Sequence, residues 1–102
     1  MKQKTVGLDM MDAQKVARLF STLKDESRVR TVYLLTQEEK LSVSEIAERT
    51  GQHISTVSLH LKRLKDLGFV RYERDGKHVY HMLDDDCIRD IMERAIEHVA
   101  GK

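Results

Sequence analysis

Ser55, Thr56, Ser58, Leu59, Lys62 and Arg63 fall within nine consecutive residues. Three short hydroxyls and two cations in that space suit one chemistry. Hydroxyls exchange hydrogen bonds with base edges and phosphates, and cations neutralise phosphate charge. Wound as a helix, these residues share one face, while Ile54, Val57, Leu61 and Leu64 recur at helical spacing on the other. An apolar inner face and an outer face of hydroxyls followed by cations suit a helix that lies in a DNA major groove. Leu59 lies off the apolar face, where it can touch a thymine methyl, and His60 is expected beside it as a base or phosphate contact.

Something must hold that helix in place. Ser42 and Glu45, three residues apart, form a capping box, so a preceding helix can start there with Val43, Ile46 and Ala47 on its apolar face. Gly51 is the expected stop, because a residue just past a helix end often takes the left-handed conformation. Residues 42–67 thus read as a helix-turn-helix. Gly68 ends the second helix, and residues 69–82, FVRYERDGKHVYHM, read as a β-hairpin with Asp75-Gly76 at its turn. That turn sets Arg74 opposite Lys77, Tyr72 opposite Val79 and Val70 opposite His81. Like charges facing each other are unfavourable unless an anion lies close, and a DNA backbone supplies one. Lys62, Arg71, Arg74 and Lys77 are therefore expected on phosphates, with His53 as a further DNA contact.

The flanks are helical. From Met10, the residues Ala13, Val16, Ala17 and Phe20 share one face, suited to a partner subunit. Asp25 is an N-cap candidate for a second helix to about Leu35, with Val29, Val32 and Tyr33 facing inward. Residues 1–9 read as a flexible arm. The final helix, residues 84–100, carries Ile88, Ile91, Met92, Ala95, Ile96 and Val99, a stripe wide enough to pack partly on a second subunit.

Composition bounds the remaining possibilities. With 102 residues, no proline and five glycines, the chain reads as a single, mainly α domain with a β-hairpin. A single cysteine, Cys87, excludes an internal disulfide and a CxxC motif. The formal net charge is only +1, but charge is segregated: residues 53–77 hold six cations against three anions, and residues 84–98 hold six anions against two cations. No apolar run approaches membrane-spanning length and no signal-peptide core is present, so a soluble, cytoplasmic protein with no membrane partner is expected. No nucleophile–base pair, phosphate loop or paired-carboxylate cleft is readable, which argues against an enzyme.

The runs FSTLKDESRVRTVYLL and LSVSEIAERTGQHISTVSLHLKRLKDLGFVRYERDGKHVYHML resemble the ArsR/SmtB family of winged-helix repressors over about residues 15–100. The resemblance implies a homodimer that binds an inverted-repeat operator in double-stranded DNA and is released by an inducer, usually a metal ion. The arsenic, cadmium and lead branch carries cysteines at the start of the helix before the recognition helix. Here Ser42 and Ser44 occupy that segment, and a hard hydroxyl does not replace a soft thiolate. The zinc- and cobalt-sensing branch places an Asp-x-His and a His-x-x-His on the last helix. The matching positions are Asp85, Cys87, His98 and Gly101, so three ligands are implied and the fourth side chain is missing.

Helix geometry constrains that implied set. Cys87 and His98 are 11 residues apart, which returns them to nearly the same face but about 16 Å apart along the axis. Zinc–ligand bonds of roughly 2.0–2.3 Å rule out one ion shared within one helix. Two antiparallel copies bring Cys87 of one to His98 of the other, twice by symmetry. Water, Glu93, Glu97 or the carboxylate of Lys102 is available as fourth ligand. Zn(II) is the first expectation, with Co(II), Ni(II) or Cd(II) as alternatives. The same residues have plainer readings: Asp84–Asp86 as helix-capping carboxylates, Cys87 as a small buried hydrophobe, His98 as a surface residue. A redox role for Cys87 is a further alternative, as is a protein-interaction module without DNA affinity.

Overall fold

The computed structural model describes residues 7–101. The expected arm lies largely outside the described residues, as does Lys102. Five helices and three strands follow in the order α1 (Met10–Thr22), α2 (Glu26–Gln37), β1 (Leu41–Ser42), α3 (Val43–Thr50), α4 (Ile54–Asp66), β2 (Val70–Asp75), β3 (His78–Leu83) and α5 (Cys87–Ala100).

Local chemistry explains most of these boundaries. Asp25 caps α2 by accepting from Arg28 N at 2.9 Å and from the Ser27 hydroxyl at 2.9 Å. Those bonds, the backbone one foremost, hold its carboxyl below the usual carboxylate range. The capping box of α3 is complete: Glu45 N donates to Ser42 Oγ at 3.1 Å and Ser42 N donates to Glu45 Oε1 at 2.8 Å. Gly51 closes α3 with φ +70°, the left-handed conformation expected of it. The core gathers Val32 and Leu35 of α2, Ile46 and Ala47 of α3, Val57, Leu61 and Leu64 of α4, and Ile88 and Met92 of α5.

Three features differ from the sequence expectation. Leu41 and Ser42 form a short strand beside β3, so the hairpin becomes a three-stranded antiparallel sheet in the order β1-β3-β2. The hairpin register also differs: Asp75 pairs with His78, Arg74 with Val79, Tyr72 with His81 and Val70 with Leu83. Gly76 and Lys77, not Asp75 and Gly76, are the two loop residues. Gly76 has φ +64° and no described residue other than glycine has positive φ, which fits a turn needing one left-handed residue at its first central position. Arg74 and Lys77 are therefore not a facing pair. Finally, the inward face of α2 is shifted. Tyr33 is exposed, since α2 turns Thr31, Val32, Leu35 and Thr36 inward. The apolar face of α1, expected on a partner subunit, is uncovered from Met10 to Phe20, and α1 packs on its own chain through Leu19 and Thr22.

Candidate nucleic-acid interface and metal-ligand helix

The fold presents α4 as a ridge with two unlike faces. Val57, Leu61 and Leu64 are at most 2% exposed, whereas Ser55, Ser58, Lys62 and Arg63 are exposed and Thr56 is half-buried. Leu59 is half exposed although aliphatic. Ile54, expected inside, is exposed at the start of the helix.

His60 takes the inward place instead and is corrected here as a direct DNA contact. It is 5% exposed, with Nδ1 3.5 Å from the Thr31 hydroxyl of α2. Position 60 lies three residues from Val57 and four from Leu64, so it belongs to the buried stripe that packs on α2. His53, at the N-cap of α4, is exposed and makes no side-chain cap bond.

The cations divide into paired and unpaired sets. Lys62 reaches Asp66 Oδ2 at 3.4 Å. Arg71 sits 3.4 Å from Asp84 and 3.9 Å from Glu73. Exposed ion pairs of this kind contribute about 0–1 kcal/mol, so a phosphate can displace either carboxylate. Arg74 and Lys77, at the hairpin tip, are exposed and have no carboxylate partner among the described residues. Three positioning contacts were not legible beforehand. Arg30 donates to the Thr50 carbonyl at 3.1 Å, Gln52 donates to Thr31 Oγ1 at 3.0 Å, and Lys65 lies 5.3 Å from the centre of the Tyr72 ring. None of them leaves a periodic signal, because each joins separate elements.

The last helix begins later than expected, at Cys87, after a turn of three aspartates. Asp85 Oδ1 accepts from Cys87 N at 2.9 Å, which holds Asp85, just before the helix, against its first residue. Cys87 is exposed and is not a buried hydrophobe. His98 is exposed in the last turn. Among the described residues no three His, Cys, Asp or Glu side chains gather into one metal-binding group. Ile88 and Met92 are buried, but Ile96 is 38% and Val99 85% exposed. Met92, Ile96 and Val99, with Phe20 of α1, border an apolar cavity of about 420 Å³ that opens to the surface. Arg89 ties α5 to α2 by donating to the Thr36 carbonyl. No described helix is long and apolar enough to cross a membrane.

Comparison with known proteins agrees with this geometry. A family model described as bacterial regulatory protein, arsR family, matches residues 25–72, which span α2 through the start of β2. A cadmium resistance transcriptional regulatory protein CadC homolog of Staphylococcus aureus is 39% identical over 83 residues, covering 81% of this chain and 69% of that protein. A transcriptional repressor SmtB homolog of Synechocystis is 32% identical over 92 residues, covering 90% and 69%. Among solved structures, a homodimeric winged helix-turn-helix DNA-binding domain from Mycobacterium bovis superposes with TM-score 0.74 at 27% identity, covering 95% of this chain and 91% of that one. These relatives are regulators, not enzymes, and the chain belongs to the ArsR family of DNA-binding, winged helix-turn-helix transcriptional repressors.

Proposed function

We propose that this protein is a homodimeric, metal-responsive repressor that binds an inverted-repeat operator and is released by a divalent ion held between its two α5 helices. The observation that carries the DNA reading is α4 itself, with a buried aliphatic stripe beneath exposed Ser55, Ser58, Leu59 and Lys62. In this reading Ser55, Thr56, Ser58 and Leu59 meet bases or adjacent phosphates, while His53, Lys62, Arg71, Arg74 and Lys77 meet the backbone. Affinity then falls steeply with salt.

Asp85, Cys87 and His98 fit a metal only across a dimer. One α5 carries Cys87 in its first turn and His98 in its last, and no described cluster joins them within a chain. The uncovered Ile96 and Val99 supply a reason for two α5 helices to pair. A bound ion would supply a cross-link between subunits. The residues themselves hold the coupling: the Asp85 carboxylate is bonded to Cys87 N at the start of α5, and Arg89 in the first turn fastens that start to α2. A dimer shape that places the two α4 helices out of step with successive major grooves binds DNA less well, and by linkage DNA weakens metal binding. Zinc is the first choice of ion. The S. aureus relative is named for cadmium resistance, and a thiolate ligand suits that softer ion, so cadmium is its main competitor.

A second reading is favoured by one observation. Cys87 is exposed and lines a surface cavity of about 380 Å³ together with Lys15, Arg18 and Asp66, where a soluble oxidant can reach its sulfur.

One experiment tests all of this: anisotropy of a labelled duplex from upstream of the protein's own gene, titrated with protein, with and without stoichiometric zinc. Tight binding weakened by zinc supports the full proposal. Binding that ignores zinc but responds to cadmium or to peroxide moves the inducer accordingly. No binding at low salt sinks the operator reading.

A further inference from the structure

His60 is the one titratable side chain of α4 that points into the core. It stands in a small polar cluster within an otherwise aliphatic interior. Thr31 of α2, fully buried, donates its hydroxyl hydrogen to Ser27 O at 3.2 Å. Its oxygen remains free to accept, from Gln52 Nε2 at 3.0 Å and from the His60 Nδ1 side at 3.5 Å. Gln52 also donates to Thr50 Oγ1 at 2.7 Å, and Thr50 donates onward to Ile46 O at 2.7 Å. Four side chains thus fasten α2, α3, the turn and α4 to one another. With Thr31 donating to Ser27, the matching neutral form of His60 carries its hydrogen on Nδ1.

We propose that His60 is a positioning residue whose neutral ring seats the recognition helix on α2, so that acidification loosens α4 and weakens DNA binding. The inference rests on the reading that α4 meets DNA. Its physical basis is the cost of placing an imidazolium in this cluster. The charged groups that act on the ring are Arg28 and Asp25 of α2 and Arg63 of α4; the turn and α3 add only the neutral Gln52 and Thr50. Burial and the Arg28 guanidinium hold the ring below the usual imidazole pKa, Arg63 adds to them, and Asp25 pulls the other way. Moving α4 away from α2 relieves that cost. DNA selects the seated position, because Ser55, Ser58 and Leu59 must reach the groove together.

The test compares the full-length wild type with His60→Asn, whose amide can replace Nδ1 in the cluster but does not titrate. Dissociation constants for the upstream duplex are measured at pH 7.5 and pH 5.5 at fixed ionic strength. Near-equal affinities are expected at pH 7.5. At pH 5.5 the wild type should bind about threefold to tenfold more weakly than the variant, within the tenfold-per-unit limit of a single proton. Every histidine other than position 60 is common to both proteins, so the ratio of their affinities isolates His60. An unchanged ratio between the two pH values overturns the proposal.

An NMR titration of the wild type needs no variant and no DNA. Val57 and Leu61 amides should shift in step with protonation of the His60 ring. Protonation that leaves those amides in place overturns the proposal even where His60→Asn does not fold. Were no duplex binding found at either pH, the DNA reading would fail, and the NMR titration would still decide whether His60 seats α4.

Discussion

The inner face of α4 and the outer face of α5 are built from similar aliphatic side chains and meet opposite fates. Val57, Leu61 and Leu64 are almost wholly buried, whereas Ile96 and Val99 stay in water. The helix-turn-helix is complete within one chain: α2, α3 and the sheet cover the back of α4, and Thr31 joins Gln52 and His60 there. The α1 and α5 surface is complete only with something placed on it. Met10, Met11, Val16 and Phe20 of α1 extend the same uncovered apolar ground. The unit that reads DNA is thus a finished object, whereas the α1 and α5 surface is left open to whatever binds there.

The sharpest way to break this contrast is to charge the open face. Ile96→Glu combined with Val99→Glu should leave a folded monomer by analytical ultracentrifugation. Operator affinity should fall about 10²-fold or more, because two half-sites are no longer bound as one. A monomer whose affinity is unchanged would mean that α5 does not organise the DNA-binding unit. Leu61→Ala probes the closed face. It should lower the unfolding free energy in urea by about 2–5 kcal/mol. A loss well below that range would show that the back of α4 is not packed as described.

Smaller effects sharpen the division of labour. Cys87→Ser or His98→Ala should leave metal-free DNA binding intact and remove a metal response of roughly 1–3 kcal/mol in coupling. Loss of folding in either variant, read by circular dichroism, would make these residues structural. Smallest of all, Arg74→Ala or Lys77→Ala should each reduce the slope of log affinity against log salt by about 1. An unchanged slope would remove the hairpin tip from the interface.

Legibility in the sequence followed the range of the interactions. The Ser42–Glu45 capping box, the Asp25 cap and the left-handed Gly51 were readable because each involves residues within one turn of chain. The resemblance to the ArsR family was readable because its pattern lies within one continuous stretch. Where an interaction joined distant segments, reading failed. A two-residue strand such as β1 has no period to detect and exists only because β3 lies beside it. The hairpin register hung on which residue of Asp75, Gly76 and Lys77 took the left-handed conformation first.

What the sequence determined alone, then, was the order of the five helices and the hairpin, the helix-turn-helix and the segregation of charge. Tertiary structure decided which way the side chains point. His60 and Ile54 exchanged places because α2 offers Thr31 as a partner at one position on α4 and nothing covers the other. Periodicity identifies a helical stripe only to within a residue or so, since neighbouring positions differ by about 100°. The groups on the opposing surface choose which edge of that stripe is buried, and they come from elsewhere in the chain.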